Sequence, residues 1–370
     1  MKAKKERTQE KGKIRYLSTG NEACGEGAIR AGCRFYAGYP ITPQNELTAY
    51  MSKRMEEENG IFIQAESELA AISMVHGASA AGARAMTSSS SPGISLKQEG
   101  ISYMAGAELP CVIVNVMRGG PGLGNISPAQ SDYFQATKGG GHGDYKMIVL
   151  APETVQEMFD FTHKAFSLAD QYNIPVMILA DGMLGQMMEP LEFSADIQPP
   201  AEPEKPWALT GARGREPLSK KSLFLGPGVL EKHNDKLREK HDEISLREAC
   251  AEEYRTQDAN FVICAYGTAA RIARASVDKL REKGVKAGLL RPVTLWPFPE
   301  EALKKHISGE TAFLTVEMSL GQMVEDIERI VGDRKRVGFY GRAGGGIPEE
   351  DEIVERALMV LDKSGKGARK

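Results

Sequence analysis

Cysteine is scarce in this chain, and no two cysteines are close enough to form a metal-binding pair. The 370 residues contain five, at Cys24, Cys33, Cys111, Cys250 and Cys264. Zinc and iron–sulfur sites are commonly built from Cys-x-x-Cys pairs, and none occurs here. We therefore expect any electron-transfer centre to lie on another chain, and the cysteines to be small apolar residues in a reducing compartment.

Long apolar runs and an excess of one charge are also missing. No stretch approaches the length of a membrane span, and the charged residues 1–7 lead into no apolar segment of a signal peptide. The 47 basic and 50 acidic residues give a net charge of -3, which argues against nucleic acid or a membrane surface as the main partner. A cytoplasmic location is expected, with a small ligand or another protein as partner.

Alternation of short apolar runs with helical periods predicts an α/β fold, and the length suits two domains. The first half predicts a doubly wound parallel sheet with strands at 34–39, 62–65, 84–88, 112–117, 147–150 and 176–180. Two runs, 111–114 and 175–179, lack apolar/polar alternation and should be central strands. The second half predicts strands at 261–266, 286–290 and 312–316, and helices at 269–283 and 322–331.

The composition also suggests where the domains begin and end. A Pro-, Lys- and Glu-rich stretch separates the two alternating patterns, and its last part, 229–254, has the charged period of a surface helix. The expected organisation is an N-terminal tail at 1–15, a first domain at 16–193, a linker at 194–258, a smaller domain at 259–362 and a basic tail at 363–370.

Two glutamates stand at a predicted strand-to-helix junction. Glu66 and Glu68 follow the strand at 62–65 and open a helix that is rich in small residues. Such junctions lie at the carboxyl edge of an open α/β sheet, where ligands bind. On the motif alone, the more common role of these glutamates is to cap the helix and interact with its dipole.

Further stretches carry candidate binding groups, each with an alternative structural role. Prolines bracket Ile-Thr at 40–43 and present the Thr42 hydroxyl, which could equally be a helix N-cap. Small hydroxyl side chains and a glycine at 86–93 would let the backbone approach a flat ligand, although ordinary loops share this composition. Arg118 ends a buried strand before a glycine-rich loop, where its guanidinium suits either a ligand carboxylate or a structural ion pair.

Other motifs carry less information about function. The glycines at 119–124 lack the strand, Gly-x-Gly-x-x-Gly and helix order of a dinucleotide loop. His76 and His142 are isolated histidines and are more often structural, although a loop histidine near a substrate can transfer a proton. Glu317, at a predicted strand end, is expected to be solvated at the surface, with a partner contact as the alternative.

Taken together, these stretches resemble the alpha-type subunit of 2-oxoacid:ferredoxin oxidoreductases, and more narrowly that of the branched-chain (3-methyl-2-oxobutanoate) enzyme. The matching motifs occur in the family's order along the chain, at 20–23, 38–43, 64–68, 90–100, 117–121, 141–145 and 295–299. The resemblance implies a thiamine-diphosphate-binding fold of the pyrimidine type for 16–193. It implies a transketolase-C-terminal-like domain for 259–362.

The resemblance also assigns roles by motif position. Glu68 matches the catalytic glutamate that hydrogen-bonds N1′ of the aminopyrimidine ring, and Glu66 is the less favoured alternative. That role needs a desolvated carboxyl group that shares a proton with a weakly basic nitrogen. Thr42 matches the residue that reaches toward the substrate's oxo group, and Arg118 matches the residue that holds its carboxylate.

The cofactor is expected to contact the serine-rich motif as well. Ser90, Pro92 and Gly93 are the residues predicted to bind it, together with Glu68. Ser91 is a departure from the family pattern, because many relatives carry glycine there, although the neighbouring hydroxyl-rich residues are retained.

Missing motifs imply partner subunits. The chain lacks the Gly-Asp-Gly and distant Asn by which the family holds Mg2+ and the diphosphate, and it lacks cluster cysteines. The resemblance therefore implies a beta-type subunit that shares thiamine diphosphate, a gamma-type subunit, and a ferredoxin-like subunit with iron–sulfur clusters. The complex would convert a 2-oxo acid and coenzyme A into acyl-CoA and CO2 while reducing ferredoxin, and this chain alone should be inactive.

Two other functions stay open. An enzyme of the same class acting on 2-oxoglutarate would need an additional cation for the distal carboxylate. A non-catalytic scaffold would hold its partners together without using Glu68.

Overall fold

The computed structural model describes residues 8–10, 12–307, 309–333 and 336–363. The basic tail predicted at 363–370 lies outside these residues except for Lys363, and most of the tail predicted at 1–15 is outside them too. Residue 13 already begins a strand, so ordered structure starts before the expected domain boundary at 16. Among the helices that the structure describes, none combines the length and apolar character of a membrane span.

The first half alternates strands and helices as the sequence predicts. Its elements are β1 (Thr8–Glu10), β2 (Lys13–Thr19), α1 (Gly20–Arg30), β3 (Phe35–Gly38), α2 (Asn45–Glu57), β4 (Ile61–Gln64), α3 (Glu68–Ala80), β5 (Ala85–Ser89), α4 (Ser91–Gly106), β6 (Cys111–Met117), α5 (Tyr133–Thr137), β7 (Ile148–Leu150), α6 (Val155–Tyr172), β8 (Pro175–Asp181), α7 (Gly182–Gln186) and β9 (Met188–Ser194). The predicted strands are confirmed, with ends that differ by at most one residue.

The second half follows a long linker. Its elements are α8 (Val229–Glu248), β10 (Ala251–Tyr254), β11 (Phe261–Cys264), α9 (Gly267–Glu282), β12 (Ala287–Pro292), β13 (Thr294–Trp296), α10 (Glu300–Lys304), β14 (Ala312–Glu317), α11 (Met323–Val331), β15 (Val337–Gly341) and α12 (Glu350–Lys363). The strands and helices predicted here are also present. β10, β13 and β15 were not predicted.

The main sheet has seven strands in the order β13-β7-β8-β6-β5-β3-β4. Its strands are parallel except for β13, which pairs antiparallel with β7. β6 and β8 lie inside the sheet and every residue of both is buried, which confirms the prediction that runs without alternation form central strands. β2 pairs antiparallel with β9 and β1 in a separate small sheet.

The second sheet has five strands in the order β10-β12-β11-β14-β15. β10 is antiparallel to β12, and the remaining pairs are parallel. One buried apolar cluster contains Ile113 and Val149 from the first sheet and Val262 and Phe313 from the second. The two sheets therefore share a continuous core.

The helix predicted at 229–254 is wrong at its C-terminal end. α8 stops at Glu248, and the following residues form β10 instead. The backbone of Cys250 is held by Thr294, whose Oγ1 accepts from its N–H at 2.8 Å, and β10 then pairs along the edge of β12. Hydrogen bonding to this open strand edge outweighs the charged helical period of the sequence.

The linker and α8 are attached to the first domain by charged side chains. The Arg84 guanidinium and the Lys205 ammonium both bind the buried carboxylate of Asp170, at 2.7 and 3.0 Å. Lys236 and Lys240 of α8 both bind Glu108, which follows α4. α8 therefore packs along the first domain.

The surface position expected for Glu317 is wrong. Glu317 ends β14, an inner strand, and its side chain is completely buried. Its carboxylate accepts hydrogen bonds from the backbone N–H groups of Met323 and Val324, both at 3.0 Å, so it caps the N-terminus of α11. Burial raises the pKa of Glu317. Because the strand end faces a helix N-terminus and not solvent, the role is structural.

A buried arginine joins the two halves. Arg291 of β12 is only 1% exposed, and its guanidinium binds Glu157 of α6 at 2.7 and 2.9 Å and Glu153 at 3.0 Å. Glu153 also binds Arg274 of α9. This ion-pair network fixes the second sheet to the start of α6.

Replacing Arg291 by Met should destabilise the protein strongly, because Glu153 and Glu157 would lose their buried cation. We expect the free energy of unfolding to fall by roughly 3 kcal/mol, measured by urea denaturation. The matched control is Arg238→Met, since Arg238 is exposed and its one ion pair among the described residues is with Asp235 of the same helix. That control should cost less than about 1 kcal/mol, and equal effects of the two changes would contradict the assignment.

Candidate active site

The candidate residues meet at one edge of the main sheet. Thr42 follows β3, Glu68 follows β4, the serine-rich turn follows β5, and Arg118 follows β6. These strands are neighbours in the order β6-β5-β3-β4 and are parallel. Their carboxyl ends therefore lie side by side, at the edge where open α/β sheets bind ligands.

Glu68 is the first residue of α3 and is only 6% exposed. The helix is capped by Ser67, whose Oγ accepts from the Ala70 N–H at 3.2 Å, so neither glutamate is the N-cap. Glu66 is exposed. Within the described part of the chain, no group donates a hydrogen bond to the Glu68 carboxylate. The Glu68 carboxylate is therefore shielded and free to accept hydrogen bonds, whereas the Glu66 side chain is exposed to solvent.

The serine-rich turn lies against Glu68. The hydroxyl groups of Ser89 and Ser90 are buried, and neither has a hydrogen-bond partner among the described residues. Gly93, in the first turn of α4, approaches so closely that a Cβ there would lie 2.6 Å from Glu68 Oε1. Pro92 is half-buried beside it. Only glycine at position 93 leaves room for the carboxylate in this position.

Thr42 belongs to the loop between β3 and α2. α2 begins at Asn45 with Gln44 in the N-cap position, so the alternative that Thr42 is the helix cap is wrong. Its Oγ1 accepts from Asn45 Nδ2 at 3.2 Å, and its carbonyl accepts from Arg118 Nη1 at 3.0 Å. This bond links the loop after β3 to the end of β6.

Arg118 is 6% exposed and is oriented by backbone carbonyls. Besides the bond to Thr42, its Nη2 donates to the carbonyl of Leu123 at 3.1 Å, while its Nε is buried without a partner among the described residues. No carboxylate in the described ranges forms an ion pair with it, so the alternative of a structural ion pair is not observed. The guanidinium donates two of its five N–H groups to these carbonyls, so three remain for a ligand.

Sequence reasoning missed a buried network that supports this edge. Ser91 Oγ donates to Asp132 Oδ2 at 2.6 Å and accepts from the Arg118 backbone N–H at 3.0 Å. Asn115 donates to the same Asp132 oxygen at 2.8 Å. Burial raises the pKa of Asp132. The serine that departs from the family pattern thus fixes the backbone of Arg118, and a polar Asn115 within an apolar strand was the available signal.

The histidines lie elsewhere. The backbone carbonyl of His142 accepts from Ser102 Oγ at 2.7 Å, near the C-terminal end of α4, and its exposed ring packs edge-on against Tyr103. His76 lies on α3, two turns beyond Glu68. In the ranges that the structure describes, no three His, Cys, Asp or Glu side chains are grouped to hold a metal ion.

The polar groups at this sheet edge suit two kinds of ligand group. Among the described residues, the Glu68 carboxylate has no hydrogen-bond donor and two serine hydroxyls have no partner, and all three belong to the turns next to Gly93. They suit a flat heteroaromatic ring that can donate to Glu68, since buried polar groups normally have a partner. Arg118 and Thr42, at the neighbouring strand ends, suit a carboxylate with an adjacent carbonyl group.

Comparison with protein families agrees with this geometry. Residues 26–255 match the family described as pyruvate flavodoxin/ferredoxin oxidoreductase, thiamine diphosphate-binding. Residues 259–353 match core domain II of pyruvate:ferredoxin oxidoreductase. Both halves of the chain are thus accounted for by one kind of enzyme, and the fold class predicted from the sequence is confirmed.

Curated relatives and a solved structure point the same way. The chain is 50% identical over 345 residues to ketoisovalerate oxidoreductase subunit VorB of Methanothermobacter marburgensis, covering 93% of this chain and 97% of the relative. It is 38% identical over 377 residues to 2-oxoglutarate synthase subunit KorA of Methanothermobacter thermautotrophicus, covering 93% and 98%.

The solved structure is the 2-oxoglutarate:ferredoxin oxidoreductase from Magnetococcus marinus, with 2-oxoglutarate, coenzyme A and succinyl-CoA bound. It superposes with a TM-score of 0.81 at 29% identity, and the match covers 93% of this chain but 65% of that longer one. Together with the family matches, these similarities confirm the resemblance seen in the sequence motifs. The chain belongs to the family of thiamine-diphosphate-dependent 2-oxoacid:ferredoxin oxidoreductase subunits.

Proposed function

We propose that this chain is the subunit of a 3-methyl-2-oxobutanoate:ferredoxin oxidoreductase that binds the pyrimidine half of thiamine diphosphate. The observation that carries the proposal is the Glu68 carboxylate, which is buried beside Gly93 and has no hydrogen-bond donor within the described ranges. The 50% identity to a ketoisovalerate oxidoreductase subunit, against 38% to a 2-oxoglutarate synthase subunit, supports the branched-chain substrate.

The residues at the site fit the cofactor. Glu68 would hold the proton at a pyrimidine nitrogen, with the unpartnered hydroxyls of Ser89 and Ser90 as additional hydrogen-bonding groups. Pro92 and Gly93 would form the wall next to the ring. When bound, thiamine diphosphate supplies the carbon nucleophile and the electron sink for decarboxylation.

The substrate would be held by the two groups at the neighbouring strand ends. Carbonyl groups of Thr42 and Leu123 fix the plane of the Arg118 guanidinium, which leaves its Nε for the substrate carboxylate. The Thr42 hydroxyl would then lie on the side of the oxo group. Such positioning groups lower the barrier by holding the reacting carbonyl in one orientation.

The loop after Arg118 favours an apolar acyl chain. Residues 119–131 contain no Lys or Arg that could pair with a second carboxylate. Leu123 and Ile126 are instead exposed there, at 80% and 64%. A branched hydrocarbon side chain matches this loop better than the distal carboxylate of 2-oxoglutarate.

The remaining chemistry belongs to partner subunits in this proposal. A beta-type subunit would hold Mg2+ and the diphosphate, and a ferredoxin-like subunit would carry the iron–sulfur clusters. A gamma-type subunit would complete the complex, which uses coenzyme A as acyl acceptor. We also propose a cytoplasmic location, because all five cysteines are free, as expected in a reducing compartment.

Replacing Glu68 by Gln should abolish most turnover in the reconstituted complex. Glutamine has no carboxyl proton to share with the pyrimidine nitrogen, so we expect the rate of 3-methyl-2-oxobutanoate-dependent ferredoxin reduction to fall about a hundred- to ten-thousandfold. Glu66→Gln is the matched control and should leave the rate unchanged, because that side chain is exposed. Unchanged turnover in the Glu68 variant would support the scaffold alternative instead.

Replacing Arg118 by Lys should weaken substrate binding. Lysine keeps the charge but loses the fixed guanidinium plane, and one lost charge-assisted hydrogen bond costs about 1.5 kcal/mol. We therefore expect KM for 3-methyl-2-oxobutanoate to rise roughly tenfold, while Arg213→Lys, in an exposed part of the linker, changes nothing. The same assay compares substrates, and a higher kcat/KM for 2-oxoglutarate in the unaltered complex would end the branched-chain assignment.

A further inference from the structure

The segment 130–134 lies between the second domain and the candidate substrate arginine. It follows the glycine-rich loop and contains the start of α5. Gln130 forms two hydrogen bonds with the Met318 backbone: its N–H donates to the Met318 carbonyl at 2.8 Å, and its Oε1 accepts from the Met318 N–H at 3.0 Å. Its Nε2 donates to the carbonyl of Tyr266 at 2.8 Å. The second domain thus holds the beginning of this segment.

Gln322 of the second domain holds the rest of the segment. It lies at the N-terminus of α11. Its Nε2 donates to the Ser131 carbonyl at 2.7 Å, and its Oε1 accepts from the Phe134 N–H at 2.8 Å. These two bonds flank Asp132 on both sides. The second domain therefore fixes the backbone that carries the Asp132 side chain.

Asp132 connects this segment to Arg118. It occupies the N-cap position of α5, yet its side chain does not cap that helix, although capping is the common role of an aspartate there. Its Oδ2 accepts instead from Ser91 Oγ at 2.6 Å and from Asn115 Nδ2 at 2.8 Å. The Ser91 oxygen in turn accepts from the backbone N–H of Arg118 at 3.0 Å. A carboxylate at position 132 therefore fixes the serine hydroxyl that holds the Arg118 backbone.

The guanidinium of Arg118 is oriented by two loop carbonyls, those of Thr42 and Leu123. Residues 120–126 are exposed, and loops move more than the helices and strands that they connect. Ser91, by contrast, is the first residue of α4, and Arg118 follows directly after β6. The hydrogen bond between them therefore restrains Arg118 at a more rigid point than the loop carbonyls do.

We propose that Asp132 is a positioning residue that holds Ser91 against the Arg118 backbone and so fixes the direction in which Arg118 meets the substrate carboxylate. This inference rests on the proposed role of Arg118. Because Gln322 holds the backbone on either side of Asp132, the second domain contributes to substrate binding through the same contacts. All the candidate site residues belong to the first half of the chain, so this role is additional to theirs.

The test measures KM and kcat for 3-methyl-2-oxobutanoate in the reconstituted complex. Asp132→Ala removes the acceptor for Ser91, and we expect KM to rise about tenfold while kcat changes less. Asp132→Asn keeps an acceptor oxygen at the same place, so its KM should stay within about threefold of that of the unaltered complex. The affinity for thiamine diphosphate with Mg2+, measured by quenching of intrinsic fluorescence, should change by less than about twofold in both variants. An equal loss of both affinities would contradict the inference, because it would indicate general disorder of the site.

A second pair of variants tests the contribution of the second domain. Gln322→Ala removes both hydrogen bonds to the segment, and we expect KM to rise about threefold. The matched control is Arg271→Met, which removes an ion pair between the two halves that lies outside segment 130–134, from Arg271 Nη2 to Glu189 Oε1 at 2.5 Å. This control should leave KM unchanged. Equal effects of the two changes would contradict a role of the second domain in substrate binding.

A double variant shows whether Asp132 acts through Arg118. The effects of independent changes multiply, whereas changes that act through one group do not. In an Arg118→Lys background, Asp132→Ala should therefore raise KM by less than about threefold, instead of the tenfold expected in the unaltered background.

The outcomes distinguish this inference from the proposed function. An unchanged KM in Asp132→Ala, or full multiplication in the double variant, with KM raised in Arg118→Lys, would overturn the role of Asp132 and leave that of Arg118 intact. An unchanged KM in Arg118→Lys would overturn both. If Asp132→Ala does not assemble, as shown by size-exclusion chromatography, Ser91→Ala takes its place and has to meet the same expectations. Failure of both variants to assemble would also contradict the inference, since a positioning role does not require these side chains for folding.

Discussion

The candidate site depends on one constraint: the Glu68 carboxylate is shielded from water, and no group in the part of the chain that the structure describes donates a hydrogen bond to it. Glu68 reaches that state because β4 delivers it to the sheet edge, Ser67 caps the helix in its place, and Gly93 leaves space beside it. A carboxyl group that is mostly shielded from water forms a stronger hydrogen bond to a ring nitrogen than an exposed one would. The candidate substrate groups follow from the same edge, because neighbouring parallel strands end together.

The sequence predicted most of the fold, because parallel sheets leave a simple pattern. Buried strands such as β6 and β8 appear as uninterrupted apolar runs, and the helices between them have their own period. β10 and β13 were not predicted, because they are short and pair at the edges of their sheets. Each of them forms a strand because it pairs with the edge of a strand that is distant in sequence. Local composition carries no information about that pairing.

The residues of the candidate site that belong to recognisable sequence motifs could be predicted. The motif predicted Glu68, Thr42 and Arg118 at the sheet edge, where the structure has them, and of the two glutamates Glu68 is buried and Glu66 is exposed. Asp132 was missed, because an isolated aspartate in a loop is usually solvated and carries no recognisable signature. Glu317 was assigned to the surface for a similar reason: a carboxylate at a strand end can face water or a helix N-terminus, and only the packing decides.

One edge of the main sheet is completed by the other half of the chain. β13 pairs with β7, and without it the backbone of β7 would present unpaired N–H and C=O groups. Exposed strand edges recruit other strands and lead to aggregation. Cutting the polypeptide between its two halves would therefore leave the backbone of β7 open to pairing with strands of other molecules. The first half is thus poorly suited to separate expression or to fusion as an independent module.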